Sequence, residues 1–172
     1  MSVPTSIEAF YKDAKQSLLA FNEFAIRHKL EGRALPDHLC YKCGSRTSFE
    51  RLRKMFEDAG CWMFESRISD RTIAYIRLNF EIPMTTGLGE IRYLELCDQK
   101  PDRSQRSGFD HVEVYATAMS YEEMVEELAQ TEQVVEKKRP HHSTHDIDVG
   151  NGFLFRATHG PLVEKIKNEE MI

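Results

Sequence analysis

The amino-acid sequence predicts an α+β protein in which two tandem βαβββ modules form a cupped sheet around a central cavity, with an extra N-terminal helix and a short C-terminal helix. Two observations carry this expectation. The stretch "DHLCYKC", beginning at Asp37, is echoed by "DHVEVYA", beginning at Asp110, and both have the alternation of a half-buried strand. Each copy then runs into a helix signal that opens on serine, "SFERLRKMF" from Ser48 and "SYEEMVEEL" from Ser120.

Taken in order, Thr5 to Glu8 reads as a T-x-x-E capping box, after which Ile7, Phe10, Ala14, Leu18, Phe21 and Ala25 recur at helical spacing. The aromatic stripe of Phe10, Phe21 and Phe24 is expected to be core. "DHLCYKC" is a strand ending at Gly44, and Thr47 to Glu50 repeats the box ahead of a second helix running to about Gly60. "CWMFESRIS" and "TIAYIRLNF" are strands meeting at a polar turn near Ser69 and Asp70; "EIRYLELCD" is a further strand after the glycine-rich "TTGLGE". The polar stretch "KPDRSQRSG" links the halves. The second half repeats the order: strand "DHVEVYA", helix "SYEEMVEELAQ", strands near "QVVEKKR", "HDIDV" and "FLFRAT", and a terminal helix after Pro161. The expected organisation is a helical extension over 1–34, a first module over 35–99 and a second module with the terminal helix over 109–172, all in one compact unit.

Composition narrows the function classes. With 23 Lys and Arg against 28 Asp and Glu, a net charge of −5 and no long basic run, binding to a nucleic-acid backbone is disfavoured. The first residues, "MSVPTSIEAFYKDAK", carry charges where a signal peptide needs an apolar run, and no stretch could span a bilayer as a helix. A cytoplasmic protein without a membrane partner is expected, as a monomer or homodimer. The cysteines Cys40, Cys43, Cys61 and Cys97 then read as free thiols. Cys40 and Cys43 form a CxxC, but their odd separation on one strand sends them to opposite faces, which disfavours a shared metal.

Alternation assigns one face of each strand to the helices and leaves the other free. Val112, Val114 and Ala116 face the helices, which frees His111, Glu113 and Tyr115; by repeat equivalence His38 and Cys40 share that free face. Ala74, Ile76, Leu78 and Phe80 pack inward and leave Tyr75, Arg77 and Asn79; Leu94 and Leu96 leave Tyr93, Glu95 and Cys97. Phe153 and Phe155 leave Leu154, Arg156 and Thr158. A free face so rich in ionisable groups must be paired, solvated or bound to a metal.

The two Asp-His strands, the βαβββ repeat, "YLELCD", "GFDHVEVY" and the terminal "THGPLVEKI" resemble the YecM-like branch of the vicinal oxygen chelate superfamily, which includes glyoxalases, epimerases, extradiol dioxygenases and bleomycin-resistance proteins. The resemblance implies a divalent metal (zinc, iron, manganese, nickel or cobalt) at the junction of the halves, its ligand positions carried over onto His38, Glu95 and His111. Two imidazoles and a carboxylate suit such an ion and leave positions for water and substrate. The sequence departs from the superfamily where a further carboxylate often stands on the eighth strand, a position held here by Arg156. Either the site keeps three ligands, with Arg156 and Arg77 holding an anionic substrate and Tyr75 and Tyr93 beside them, or metal binding has been lost; Glu113 is the nearest spare carboxylate, as general base or substitute ligand.

Plainer readings stand beside these. Strand histidines can simply be hydrogen-bonded to neighbours, and Arg77 and Arg156 can merely neutralise Glu95 and Glu113. The cluster His141, His142 and His145 matches no strong ligand spacing and reads as a solvated turn, the alternative being that His145 reaches the cavity mouth. His159 is expected to cap or position the last helix. Glu122, Glu123, Glu126 and Glu127 form a solvated helix face. The functional expectation is a metal-dependent lyase, isomerase or oxygenase acting on a small, anionic, oxygen-rich molecule; the alternative is a non-catalytic protein that binds or sequesters a small molecule in the same cavity.

Overall fold

The computed structural model describes residues 2–79, 83–139 and 143–170. The first helix, α1 (Ile7–Arg27), is followed by β1 (Ala34–Lys42), α2 (Arg46–Asp58), β2 (Met63–Ile68) and β3 (Arg71–Arg77). A small hairpin, β4 (Met84–Thr86) and β5 (Gly89–Ile91), precedes β6 (Tyr93–Cys97). The second half comprises β7 (Gly108–Ala116), α3 (Tyr121–Ala129), β8 (Val135–Lys138), β9 (Ser143–Gly150), β10 (Phe153–Thr158) and α4 (Leu162–Glu170). Among the described residues, no helix is long and apolar enough to cross a membrane.

Eight strands form one sheet in the order β2-β3-β6-β1-β7-β10-β9-β8. Outward from its centre each half repeats the other. β1 pairs in parallel with β6, then β3 and β2 follow antiparallel; β7 pairs in parallel with β10, then β9 and β8 follow antiparallel. The halves join within one chain through antiparallel pairing of β1 with β7. The α+β architecture with its repeated βαβββ order is therefore observed.

Helices cover one face of this sheet, and the alternation of apolar residues fixes which. Leu39, Tyr41, Ala74, Ile76, Leu94, Leu96, Val112, Val114, Phe155 and Ala157 are all buried in the main core. From α2 come Phe49, Leu52 and Phe56, and from α3 Met124 and Leu128. The helix α1 spans both halves: Phe10 meets Tyr41, Phe56 and Phe109, whereas Phe21 and Phe24 lie against Phe155. Fully burying each such ring contributes on the order of 1.5–3 kcal/mol, which fixes the helix across the seam.

Three local expectations need correction. α1 is capped by Ser6, whose side chain accepts from Ala9 N, rather than by Thr5; α2 is capped by Ser45, bonded to Ser48 N, rather than opening at Thr47 or Ser48. Adjacent Ser and Thr residues compete for the cap, and the one on extended backbone at the end of the preceding segment wins. Ser120 does form a reciprocal capping box with Glu123. The stretch "EIRYLELCD", expected as one strand, breaks at Arg92 into β5 and β6, and the glycine-rich "TTGLGE" before it lies in the β4–β5 hairpin. Ser69 and Asp70 both have left-handed backbone, φ 51 and 61, as a two-residue turn between twisted strands requires. Phe80, expected on a strand, and His141 and His142, expected in a solvated turn, lie outside the described residues.

Opposite the helices, α4 folds back over the first half's free face. Its first two amides, Leu162 N and Val163 N, donate to Asp37 at 3.1 and 3.2 Å, so the cap comes from β1 rather than from His159. His159 instead lies against the Tyr121 ring and is exposed. The chain passes from β10 to α4 at Gly160, where a Cβ would sit 2.6 Å from Tyr115; only glycine permits that close approach.

Candidate metal centre

Strand register places the free-face residues in two rows that cross the seam. One runs Tyr75, Glu95, Cys40, His111 from β3 to β7; the other runs Asp146, Arg156, Glu113, His38 from β9 to β1. The rows are repeat equivalents: His38 matches His111, Cys40 matches Glu113, Glu95 matches Arg156 and Tyr75 matches Asp146. Neighbouring strands are about 5 Å apart, so facing side chains in such rows are forced into contact.

Each histidine is oriented by the aspartate that precedes it. His38 Nδ1 lies 2.7 Å from Asp37 Oδ2 and His111 Nδ1 2.7 Å from Asp110 Oδ2, and the ring centroids are 5.8 Å apart. His38 Nε2 then faces Glu113 Oε2 at 3.3 Å and Glu95 Oε2 at 3.5 Å. Both His38 Nε2 and Glu113 Oε2 are buried without a hydrogen-bond partner of acceptable geometry. Two sets of donor atoms lie within 4.8 Å of one another: His38, His111 and Glu113, and Cys40, Glu95 and His111. Both sets share His111, whereas His38 and Glu95 fall in different sets, with His38 Nε2 and Glu95 Oε2 3.5 Å apart.

Their electrostatics differ by half. Burial alone would lower the pKa of His38, but the facing Glu113, Asp37 and Glu95 outweigh it and raise it to about 9. Burial and the adjacent Arg156 push His111 down to about 4, against the pull of Asp110 and Glu95. Burial would raise Glu95, yet the two imidazoles and the neighbouring thiols hold it down at about 2, while burial and Glu95 push Glu113 up to about 7.

The remaining expected residues are placed as follows. Arg156 is gripped by Asp146 through two bonds, Nε to Oδ1 at 2.7 Å and NH2 to Oδ2 at 2.9 Å. Its NH1 sits 3.2 and 3.1 Å from the two ring nitrogens of His111, so it straddles the imidazole. Tyr75 is buried, stacked on Phe64, and donates to Glu95 Oε2 at 3.1 Å. Tyr93 donates to Glu164 of α4 at 2.5 Å. Arg77, paired with Tyr93 in the register, is exposed at the rim. His145 turns to the helix side and bonds Tyr121, away from the cluster.

Two neighbours were not singled out by sequence reasoning. Asp146, the partner of Arg156, follows from extending the alternation to "THDIDV", where Thr144 and Asp146 oppose Ile147. The contact of Cys40 Sγ with Cys97 Sγ at 3.7 Å depends on the parallel register of β1 with β6, which no local pattern announces.

Comparison with known proteins bears on the fold and family. A search of curated proteins gave no match. A solved structure described as structural genomics protein EC4020 superposes with a TM-score of 0.68 at 19% identity, covering 92% of this chain and 90% of that one, and so shares the fold. A fusion of a xylose isomerase-like TIM barrel with 4-hydroxyphenylpyruvate dioxygenase (TM-score 0.38, 10% identity, 79% of this chain and 28% of that one) is a more distant match. So is the fosfomycin resistance protein FosX from Mesorhizobium loti (TM-score 0.28, 12% identity, 76% of this chain and 94% of that one). The family model described as YecM protein matches residues 7–153, from the start of α1 to the first residue of β10, and on that match the chain belongs to the YecM family.

Proposed function

We propose that the protein binds a divalent first-row metal ion (zinc, iron, manganese, nickel or cobalt) through His38, Glu95 and His111, and acts on a small, anionic, oxygen-rich molecule as an enzyme of the vicinal oxygen chelate type. The observation that carries this reading is the meeting of His38 Nε2 and Glu113 Oε2, 3.3 Å apart, buried and without hydrogen-bond partners, beside Glu95 and His111. Two unsatisfied buried groups cost about 1–3 kcal/mol each, a cost that a cation seated among them would offset. The donor set of imidazoles and carboxylates fits such a cation.

When bound, the ion supplies Lewis-acid polarisation of a substrate oxygen, which suits lyase, isomerase or oxygenase chemistry. The chain supplies the rest. Asp37 and Asp110 fix both imidazoles through Nδ1 and leave His38 Nε2 facing Glu113 and Glu95. Glu113 holds or moves a proton at Oε2, next to the ligands and out of contact with solvent. Arg77 at the rim, with Tyr93 beside it, draws an anion from solvent, and Arg156, held by Asp146, presents NH1 at the His111 edge.

Elemental analysis of the protein purified without added metal is expected to find one divalent ion per chain, and the His38→Ala/His111→Ala double variant to find none. Full retention by the double variant would refute the site. A second reading, a non-catalytic protein that binds or sequesters a small molecule, draws on Arg156, which stands where the repeat equivalent is the carboxylate of Glu95. Thermal-shift screening of small carboxylate and other oxyanion ligands, with and without chelator, separates the two: stabilisation indifferent to chelator supports the binder.

A further inference from the structure

We infer that the Cys40 thiol is a ligand of the bound cation, with the Cys97 thiol as its hydrogen-bonding neighbour. The inference rests on the reading that a cation occupies the cluster and names a donor that neither the resemblance nor the carried-over ligand positions supply.

Three independent observations point to it. Cys40 Sγ, a carboxylate oxygen of Glu95 and a ring nitrogen of His111 lie within 4.8 Å of one another, a second donor set that shares His111 with the first. Register across the seam pairs Cys40 with His111 as it pairs Glu113 with His38, so Cys40 occupies in the first repeat the position that Glu113 occupies in the second. A pseudo-twofold site therefore presents one thiol and one carboxylate at matching places. The third observation is what surrounds the sulfur. Cys40 is fully buried, with Cys97 Sγ at 3.7 Å, and Cys97 in turn donates to Glu95 Oε1 at 3.4 Å. With the single S–H of Cys97 committed to Glu95, the Cys40 S–H is left to donate to Cys97 Sγ, and burial keeps that thiol protonated until a cation displaces the proton. A sulfur sealed from solvent next to imidazole and carboxylate is suited to coordination rather than to disulfide exchange. Binding is a ligand exchange: the Cys40 S–H proton leaves to solvent as the metal–sulfur bond forms, and no oxidant or reductant takes part.

A thiolate in the donor set shifts metal preference. Sulfur favours zinc, cobalt and ferrous iron over manganese and magnesium, whereas imidazole and carboxylate alone are more permissive. Cobalt(II) serves as the probe because a cobalt–thiolate bond gives an intense near-ultraviolet charge-transfer absorption that nitrogen and oxygen ligands do not. The protein is purified reduced, stripped with chelator and titrated with cobalt(II), following both this band and the visible ligand-field bands. The wild type is expected to show both at one equivalent, Cys40→Ser to lose the charge-transfer band while keeping the ligand-field bands, and Cys97→Ser to keep both. Ligand-field bands without charge transfer in the wild type overturn the thiol assignment and leave the His and Glu reading standing; no cobalt bands at all overturn that underlying reading. A band lost in Cys97→Ser but kept in Cys40→Ser also overturns the assignment. The wild-type spectrum decides whether any thiolate is a ligand, and Cys40→Ala replaces Cys40→Ser in assigning it where the serine variant fails to fold.

Discussion

The two repeats share a backbone and differ in what they do with it. In the first half the free face is closed: Val163 of α4 is buried with Cys40, Ile73, Tyr75, Tyr93 and Cys97, and Phe64 and Ile166 pack at its edge. In the second half the corresponding face is polar, with Asp146 gripping Arg156 and with Thr144 and Thr158 buried nearby. The aspartates preceding the histidines show the same divergence. Asp37 caps α4, whereas Asp110 holds Lys42 Nζ at 2.7 Å. The repeated scaffold thus brings two imidazoles face to face, and differences at three matched positions, Cys40 and Glu113, Glu95 and Arg156, Tyr75 and Asp146, give one of them acidic and the other basic surroundings.

The largest expected contrast lies at the matched pair Asp146 and Tyr75. Asp146→Ala strands the buried Arg156 guanidinium and should cost about 3–5 kcal/mol. Tyr75→Phe removes one hydrogen bond to a carboxylate and should cost about 1.5–3 kcal/mol. Chemical denaturation of the metal-free proteins measures both; equal costs would mean that the halves are energetically alike at this layer. Next come the aspartates. Asp37→Ala and Asp110→Ala should each lower divalent-metal affinity about 10- to 100-fold, since each orients a ligand imidazole. Only Asp37→Ala should also speed hydrogen exchange across 162–170, with loss of about 0.5–2 kcal/mol of cap stabilisation.

The smallest contrast is in pH dependence, followed as melting temperature in chelator. His38, raised in the fold from the ordinary 6.5 to about 9, contributes stability that is complete below about 6.5 and is lost as pH rises through about 9. His111, lowered to about 4, contributes stability that is present above about 6.5 and is lost as pH falls toward 4. His38→Ala should therefore flatten the alkaline limb and His111→Ala the acid limb. Both limbs flattening in either variant would show the pair titrating as a unit.

Much of this could be read from sequence where the signal is local. Strand alternation put His38, Cys40, Tyr75, Glu95, Cys97, His111, Glu113 and Arg156 on one face, because apolar residues at every second position leave no other arrangement. Cap positions were harder, since Thr5 and Ser6, or Ser45, Thr47 and Ser48, offer the same chemistry within a residue or two. Three-residue strands such as β4 and β5 carry too few side chains to show a period. Partners distant in sequence were invisible: the capping of α4 by Asp37, the contact of Cys40 with Cys97, and the tie of Gln105 in the linker to the carbonyls of Cys43 and Asp98 each depend on how strands stack in space.

One such tie reaches beyond the site. Because the connecting segment is stitched by Gln105 to the first repeat, and α1 lies across both, severing the chain near Arg103 should leave the two pieces clasped together. A nicked protein that still melts in a single step at nearly the intact temperature would mean that covalent continuity is dispensable once the halves have met, so that each could have begun as a separate polypeptide.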